Sequence, residues 1–144
     1  MMMVPCYLGP SAIEGLGVFC PHDIKAGETI WRFEPLLDLL IPADKIDTFP
    51  EHIRVFIDRY TYPHMTDTGF VVLDADEGRF MNHADHPNLD FSDPLYGRAL
   101  IDIPANTELT CDYRCFTFGA LEFQPPRHMV TRSASDTLHA PQSM

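Results

Sequence analysis

A chain of 144 residues with 45% hydrophobic residues is one ordinary domain, long enough to bury a core. Its formal charge of −11 argues against tight binding to nucleic-acid backbones, which needs a basic stripe. The same acidity either draws basic partners or only keeps the protein in solution. The longest apolar run falls far short of the ~20 residues that span a bilayer, and MMMVPCYLGP lacks the basic-then-apolar pattern of a signal peptide. A cytoplasmic location is therefore expected, or a nuclear one in a eukaryote. Cys6, Cys20, Cys111 and Cys115 form no C-x-x-C pair, so free thiols are expected and a four-ligand zinc cluster is not.

In chain order, CYLGPSAIEGLGVFCPHDIKAGETIWRF reads as short strands punctuated by Gly9-Pro10, Gly15, Gly17, Pro21 and Gly27. After Pro50, apolar Ile53, Phe56, Ile57 and Tyr60 fall at i, i+3, i+4, i+7 and predict one helical face. Short strands follow around Phe70–Leu73 and Leu100–Ile103, with a polar cluster and the turn SDPLYG between them. IPANTELTCDY reads as a turn followed by a strand. From Gln124 onward the chain is rich in Pro, Ser, Thr and His and has little to bury, so order there is expected only with a ligand.

The cluster RFMNHADHPN, Arg79 to Asn88, holds two histidines, two asparagines and an aspartate beside the apolar run GFVVLDA. His83, Asp85 and His86 could ligate a metal, but no second ligand group converges with them in sequence, and His22, His52, His64, His128 and His139 are scattered. Ser11 and Ser92 have no patterned base, no G-x-S-x-G elbow exists, and no Walker-type phosphate loop is present. EGLGVF, Glu14 to Phe19, is either a plain turn or a place where backbone passes close to a ligand.

Three pieces in this order carry a resemblance: EGLGVF, then RFMNHADHPN, then ELTCDY ending at Tyr113. Together with GETIWRFEP they resemble the SET domain of protein-lysine methyltransferases, over roughly Val4 to Phe116. The resemblance implies a mainly β fold of small sheets with few short helices and a C-terminal knot-like crossing. It divides the chain into a SET domain, 4–116, and a post-SET-like tail, 117–144, partly lid and partly mobile.

The resemblance also implies an activity: N-methylation of lysine side chains of a protein, with S-adenosylmethionine as donor. Asn82 and His83 would hold the donor, Gly15, Leu16 and Gly17 would cup its methionine end, and Arg79 and Phe80 would frame the pocket. Phe118 would stack on the adenine, with Phe116 and Phe123 as further lid residues; alternatively a second subunit, in a homodimer, would close the site. Asn88 belongs to hydrogen bonds across the crossing, and Asp85 and His86 to loop surface. Tyr113 is the catalytic candidate. Its phenol, with a reference pKa of ~10, is a poor base at neutral pH and is better suited to steering the amine lone pair. Phe91, Cys111, Tyr60 and Tyr62 are candidates for the substrate channel. Phe91 and Cys111 carry no phenol to pin the amine, which favours di- or trimethylation. The sequence departs from many family members in having Cys115 alone after Tyr113, so no metal is expected. A basic substrate such as a histone or a ribosomal protein would suit the acidic balance. The rival expectation is a non-catalytic module that binds a peptide or S-adenosylmethionine.

Overall fold

The computed structural model describes residues 1–116 except Met65 and Thr68. Phe118, Phe123 and the expected 117–144 tail lie outside the described residues, as does the side chain of Phe116. Among the described residues the strands form three small sheets, joined by one α-helix and three short 3-10 turns.

The first sheet has the order β1 (Tyr7–Pro10), β2 (Leu16–Phe19), β10 (Glu108–Cys111), β7 (Asn82–His83). Strands β1 and β2 are a hairpin in register from Tyr7↔Phe19 to Pro10↔Leu16. Its turn closes with the Ser11 amide donating to the Gly15 carbonyl at 2.9 Å. Gly15 sits at φ +52°, a conformation that glycine adopts without steric cost. Strand β10 pairs antiparallel with the other edge of β2 (Leu109↔Val18) and parallel with β7 (Thr110↔Asn82, Cys111↔His83). Val18 and Leu109 are fully buried, so the centre of this sheet is also the centre of the core.

The second sheet, β3 (Thr29–Arg32), β9 (Tyr96–Ala99) and β8 (Leu89–Asp90), packs Trp31 against Phe91 with ring centroids 5.4 Å apart. Gly97 is required here: a Cβ would stand 2.7 Å from the Phe91 ring. The third sheet is β4 (Leu39–Pro42), β6 (Phe70–Leu73) and β5 (Thr61–Pro63). Helix α1 (Glu51–Tyr60) begins after Pro50 with Glu51 in its first turn and Arg59 in its last, both complementing the helix dipole. It buries Ile57 and leaves Phe56 exposed, so the predicted apolar face is only partly used.

The strand expected around Leu100–Ile103 is displaced. The strand is Tyr96–Ala99, and Leu100 and Ile101 are exposed; of the expected residues Ile103 alone is buried, through an isolated bridge to Ile24. Apolar composition misled because Gly97, which carries no β propensity of its own, is the residue that fits beneath Phe91.

Candidate active site

Strands β2, β7 and β10 bring the three motifs to one place, and their join is polar. The Glu108 carboxylate lies over Gly17: a Cβ on Gly17 would sit 2.3 Å from its Oε1. The Ser11 hydroxyl donates to Glu108 at 2.8 Å, and the Asn82 side-chain amide donates to it at 2.9 Å. That amide also lies within 3.1 Å of the Glu14 carbonyl and 3.0 Å of the Leu16 carbonyl. Asn82 has two protons for these acceptors. Its side chain therefore holds the β1–β2 turn. Ser11, read in sequence as a serine without a base, turns out to be a structural hub: its hydroxyl also accepts from the amides of Ile13 and Glu14.

On the other side of β7, His83 supports Tyr113. The Tyr113 backbone N–H donates to Nδ1 of His83 at 3.1 Å, so Nδ1 carries the lone pair. The proton of the neutral ring then sits on Nε2, 3.1 Å from Asp85. Asp112 binds the Arg114 guanidinium through Nε at 2.8 Å and Nη2 at 2.8 Å, and this pairing holds its carboxyl below the ordinary carboxylate range. Asn88 bridges to β10: its side chain donates to the Glu108 carbonyl at 2.8 Å and accepts from the Thr110 amide at 2.9 Å.

Tyr113 is buried, and its hydroxyl donates to the Met81 carbonyl. Burial, followed by the charge effects of Cys111 and Glu14, drives its phenol pKa far above the usual value. The ring is a fixed neutral hydrogen-bonding group and not a base.

Tyr113 borders an open cleft of about 190 Å³. From the sequence expectation the cleft gathers Gly15, Leu16, Arg79, Phe80, Asn82 and Tyr113, and adds Glu14, Arg59 and Met81, which the sequence did not single out. Tyr60, expected in the channel, lines this cleft instead, with its ring 5.4 Å from Phe80. Gly17 and His83 do not line it; they act one layer back, beneath Glu108 and behind Tyr113. The Arg79 guanidinium lies over the Phe80 ring at 5.1 Å, and Arg59 over Tyr60 at 5.5 Å. The Nε of Arg79 is buried with no hydrogen-bond partner among the described residues. In a chain of net charge −11, the cleft lining carries two arginines, Arg59 and Arg79, against one acid, Glu14.

Phe91, Cys111 and Tyr113 share one buried cluster with Trp31, and Tyr62 packs against it. A second cavity, of about 20 Å³, opens beside Trp31, Phe33, Tyr62, His64 and Leu95. Among the described residues no three His, Cys, Asp or Glu side chains converge as a metal-ligand group, and no helix is long and apolar enough to cross a membrane.

These features define a strand-rich domain in which three sequence-distant segments converge on one tyrosine-lined cleft. A family model, the SET domain, matches residues 15–114, and the chain belongs to the SET domain family. Among solved structures, it is similar to the Neurospora SET domain protein DIM-5, described as a histone lysine methyltransferase. The two share 27% identity at a TM-score of 0.55, over 78% of this chain and 53% of that one. It is also similar to a chain of an active polycomb repressive complex 2 in the basal state, with 27% identity, a TM-score of 0.58, and coverage of 76% and 15%. The Chaetomium thermophilum polycomb repressive complex 2 shares the fold, at 23% identity and a TM-score of 0.62, over 90% and 17%. This chain thus spans about half of the first neighbour and a small part of the others. No curated protein sequence matches it.

Proposed function

We propose that this protein is an S-adenosylmethionine-dependent N-methyltransferase acting on a lysine side chain of a protein. The observation that carries the reading is that Gly15, Arg79, Asn82 and Tyr113, from three separate motifs, line a single cleft. Family membership and the neighbours described as histone lysine methyltransferases support it.

The residues present fit the donor. The unpartnered buried Nε of Arg79 is a donor awaiting an acceptor, and a carboxylate of an amino-acid end supplies one. Glycine at position 15, with none of the described residues within 4 Å of where its Cβ would be, leaves the lip open to close approach. Phe80 and Tyr60 offer apolar ring surface to the remainder. The cleft described by these residues is smaller than the ~300–1,000 Å³ usual for small-molecule sites. When bound, S-adenosylmethionine supplies a methyl group activated by its sulfonium.

The acceptor must be a neutral amine. A lysine with pKa ~10.4 is neutral at pH 7 in only on the order of one molecule in two thousand. A narrow apolar approach beside Trp31 and Tyr62 would favour the uncharged form by desolvation. Tyr113, neutral and fixed between Met81 and the His83-held backbone, orients the lone pair and does not take the proton. Alignment of this kind contributes up to about 7–11 kcal/mol in favourable cases. The substrate would be a basic segment such as a histone-like tail, attracted by the net charge of −11.

Calorimetry with S-adenosylmethionine, followed by tritiated-methyl transfer to mixed basic proteins, tests the reading. Binding and transfer by the wild type, with transfer lost and binding kept in Tyr113→Phe, is the expected pattern. Binding without transfer to any protein would favour a non-catalytic module.

A further inference from the structure

The cluster around Trp31 contains a charge that packing alone does not require. Asp74, at the end of β6, has a side chain 6% exposed. One of its oxygens accepts from the Trp31 indole N–H at 3.1 Å and the other from the Tyr62 hydroxyl at 3.1 Å. The chain gives up a side chain to make room for it: a Cβ on Gly78 would stand 2.9 Å from the Asp74 carboxylate.

The groups facing Asp74 come from several elements. The Met1 ammonium is 4.0 Å away and also pairs with Asp38 at 3.3 Å; Asp38 itself is fully buried and acts on Asp74 as a like charge. Asp76 acts on the Tyr62 phenol, and Asp74 in turn on Cys111. Desolvation is the largest effect on Asp74 and raises its pKa to about 6, against the lowering effects of the Met1 ammonium, Tyr62 and Trp31. A folded-state value above the unfolded one means that the stability from this group is complete below the unfolded pKa. That stability is lost as pH rises through about 6. At neutral pH the protein therefore keeps a carboxylate whose charge opposes folding.

We propose that Asp74 is a positioning residue, which as a carboxylate fixes the Tyr62 phenol and the Trp31 indole as the wall along which the substrate amine reaches Tyr113. The proposal rests on the methyl-transfer reading for its role, while the coupling of Asp74 to Trp31 and Tyr62 stands on geometry alone. Protonated Asp74 loses one acceptor position, and the wall loses one of its two anchors.

The test uses the full chain and Asp74→Asn. Trp31 is the one tryptophan, so intrinsic fluorescence reports its hydrogen bond directly. The wild type should show an emission change with a midpoint near pH 6, absent in Asp74→Asn. A change that persists in the variant overturns the assignment, and so does a flat wild-type titration. With core histones as acceptor, wild-type kcat should fall on the acid side near pH 6. In Asp74→Asn, kcat should be on the order of 10- to 100-fold lower, with donor affinity unchanged. In a Tyr62→Phe background the same substitution should cost much less. The thermal midpoint of the variant should gain on that of the wild type between pH 5 and pH 8, whatever the role of the carboxylate; the opposite trend would overturn the raised pKa assigned to Asp74. Unchanged kcat in a folded Asp74→Asn refutes the positioning role. A wild type that neither binds S-adenosylmethionine nor transfers methyl refutes the methyl-transfer reading and the role with it, while the fluorescence titration still decides the coupling.

Discussion

Gly17→Ala should destabilise the fold, and its cost can be worked from one contact. The new Cβ would lie 2.3 Å from Oε1 and 2.7 Å from Cδ of Glu108, closer than any carbon tolerates, so the carboxylate must leave. Its departure breaks the bonds from Ser11 and Asn82, both made to a charged acceptor. Such bonds contribute about 1.5–3 kcal/mol each when protected; with Glu108 only half-buried, the pair should cost about 2–4 kcal/mol. In a domain of this size that lowers the melting midpoint by roughly 8–15 °C. Urea unfolding followed by Trp31 fluorescence measures it, in a cycle with Glu108→Ala. With the carboxylate already gone, Gly17→Ala should be nearly silent or slightly stabilising, since the residue lies in a strand and alanine restricts the unfolded chain. The expected coupling is about 2–3 kcal/mol. Additivity within about 0.5 kcal/mol would show that the Glu108 contact is not the reason for glycine at this position.

Other expectations follow from single groups. Tyr113→Phe removes the hydroxyl bonded to the Met81 carbonyl and should cost about 0.5–1.5 kcal/mol in urea unfolding, with methyl transfer falling at least about 100-fold. Arg79→Met removes the unpartnered buried Nε; stability should shift by under about 1 kcal/mol while affinity for S-adenosylmethionine, by calorimetry, falls at least about tenfold. Burial pushes the Cys6 thiol up to about 12 and the Cys111 thiol higher still, so iodoacetamide at pH 8 should label neither quickly in the native state. In urea all four cysteines should react, as intact mass would show; rapid native labelling of Cys111 would contradict its burial.

What could be read from the sequence was what lies within one motif. RFMNH and ELTCDY each specify a short strand or turn with polar residues at fixed spacing, and the helix after Pro50 follows from periodicity over ten residues. The joins between motifs were not legible. Glu108 over Gly17 depends on the register of β10 against β2, set by residues about ninety positions apart, and no local pattern encodes it. The Asp74 bond to Trp31 crosses between two sheets, and its bond to Tyr62 joins neighbouring strands twelve residues apart, so LDAD read only as the end of a strand. Tyr60 and Tyr62 looked equivalent in sequence, yet the end of α1 falls between them: Tyr60 stays on the helix facing the cleft, and Tyr62 turns into β5 toward Trp31. Asn82 and His83 were expected as one donor-holding pair by resemblance; the alternation of a strand sends their side chains to opposite faces, Asn82 to the cleft lining and His83 behind Tyr113.

The placement of β10 also orders events during synthesis. The sheets β3–β9–β8 and β4–β6–β5 draw all their strands from residues 29–99, so both can zip up while the ribosome is still translating the remainder. The hairpin at the amino end and the Asn82–His83 strand share no partner until residues 108–111 emerge and slide between them. A chain ending before that point would lack both the strand that joins the hairpin to Asn82–His83 and Tyr113 of the cleft lining.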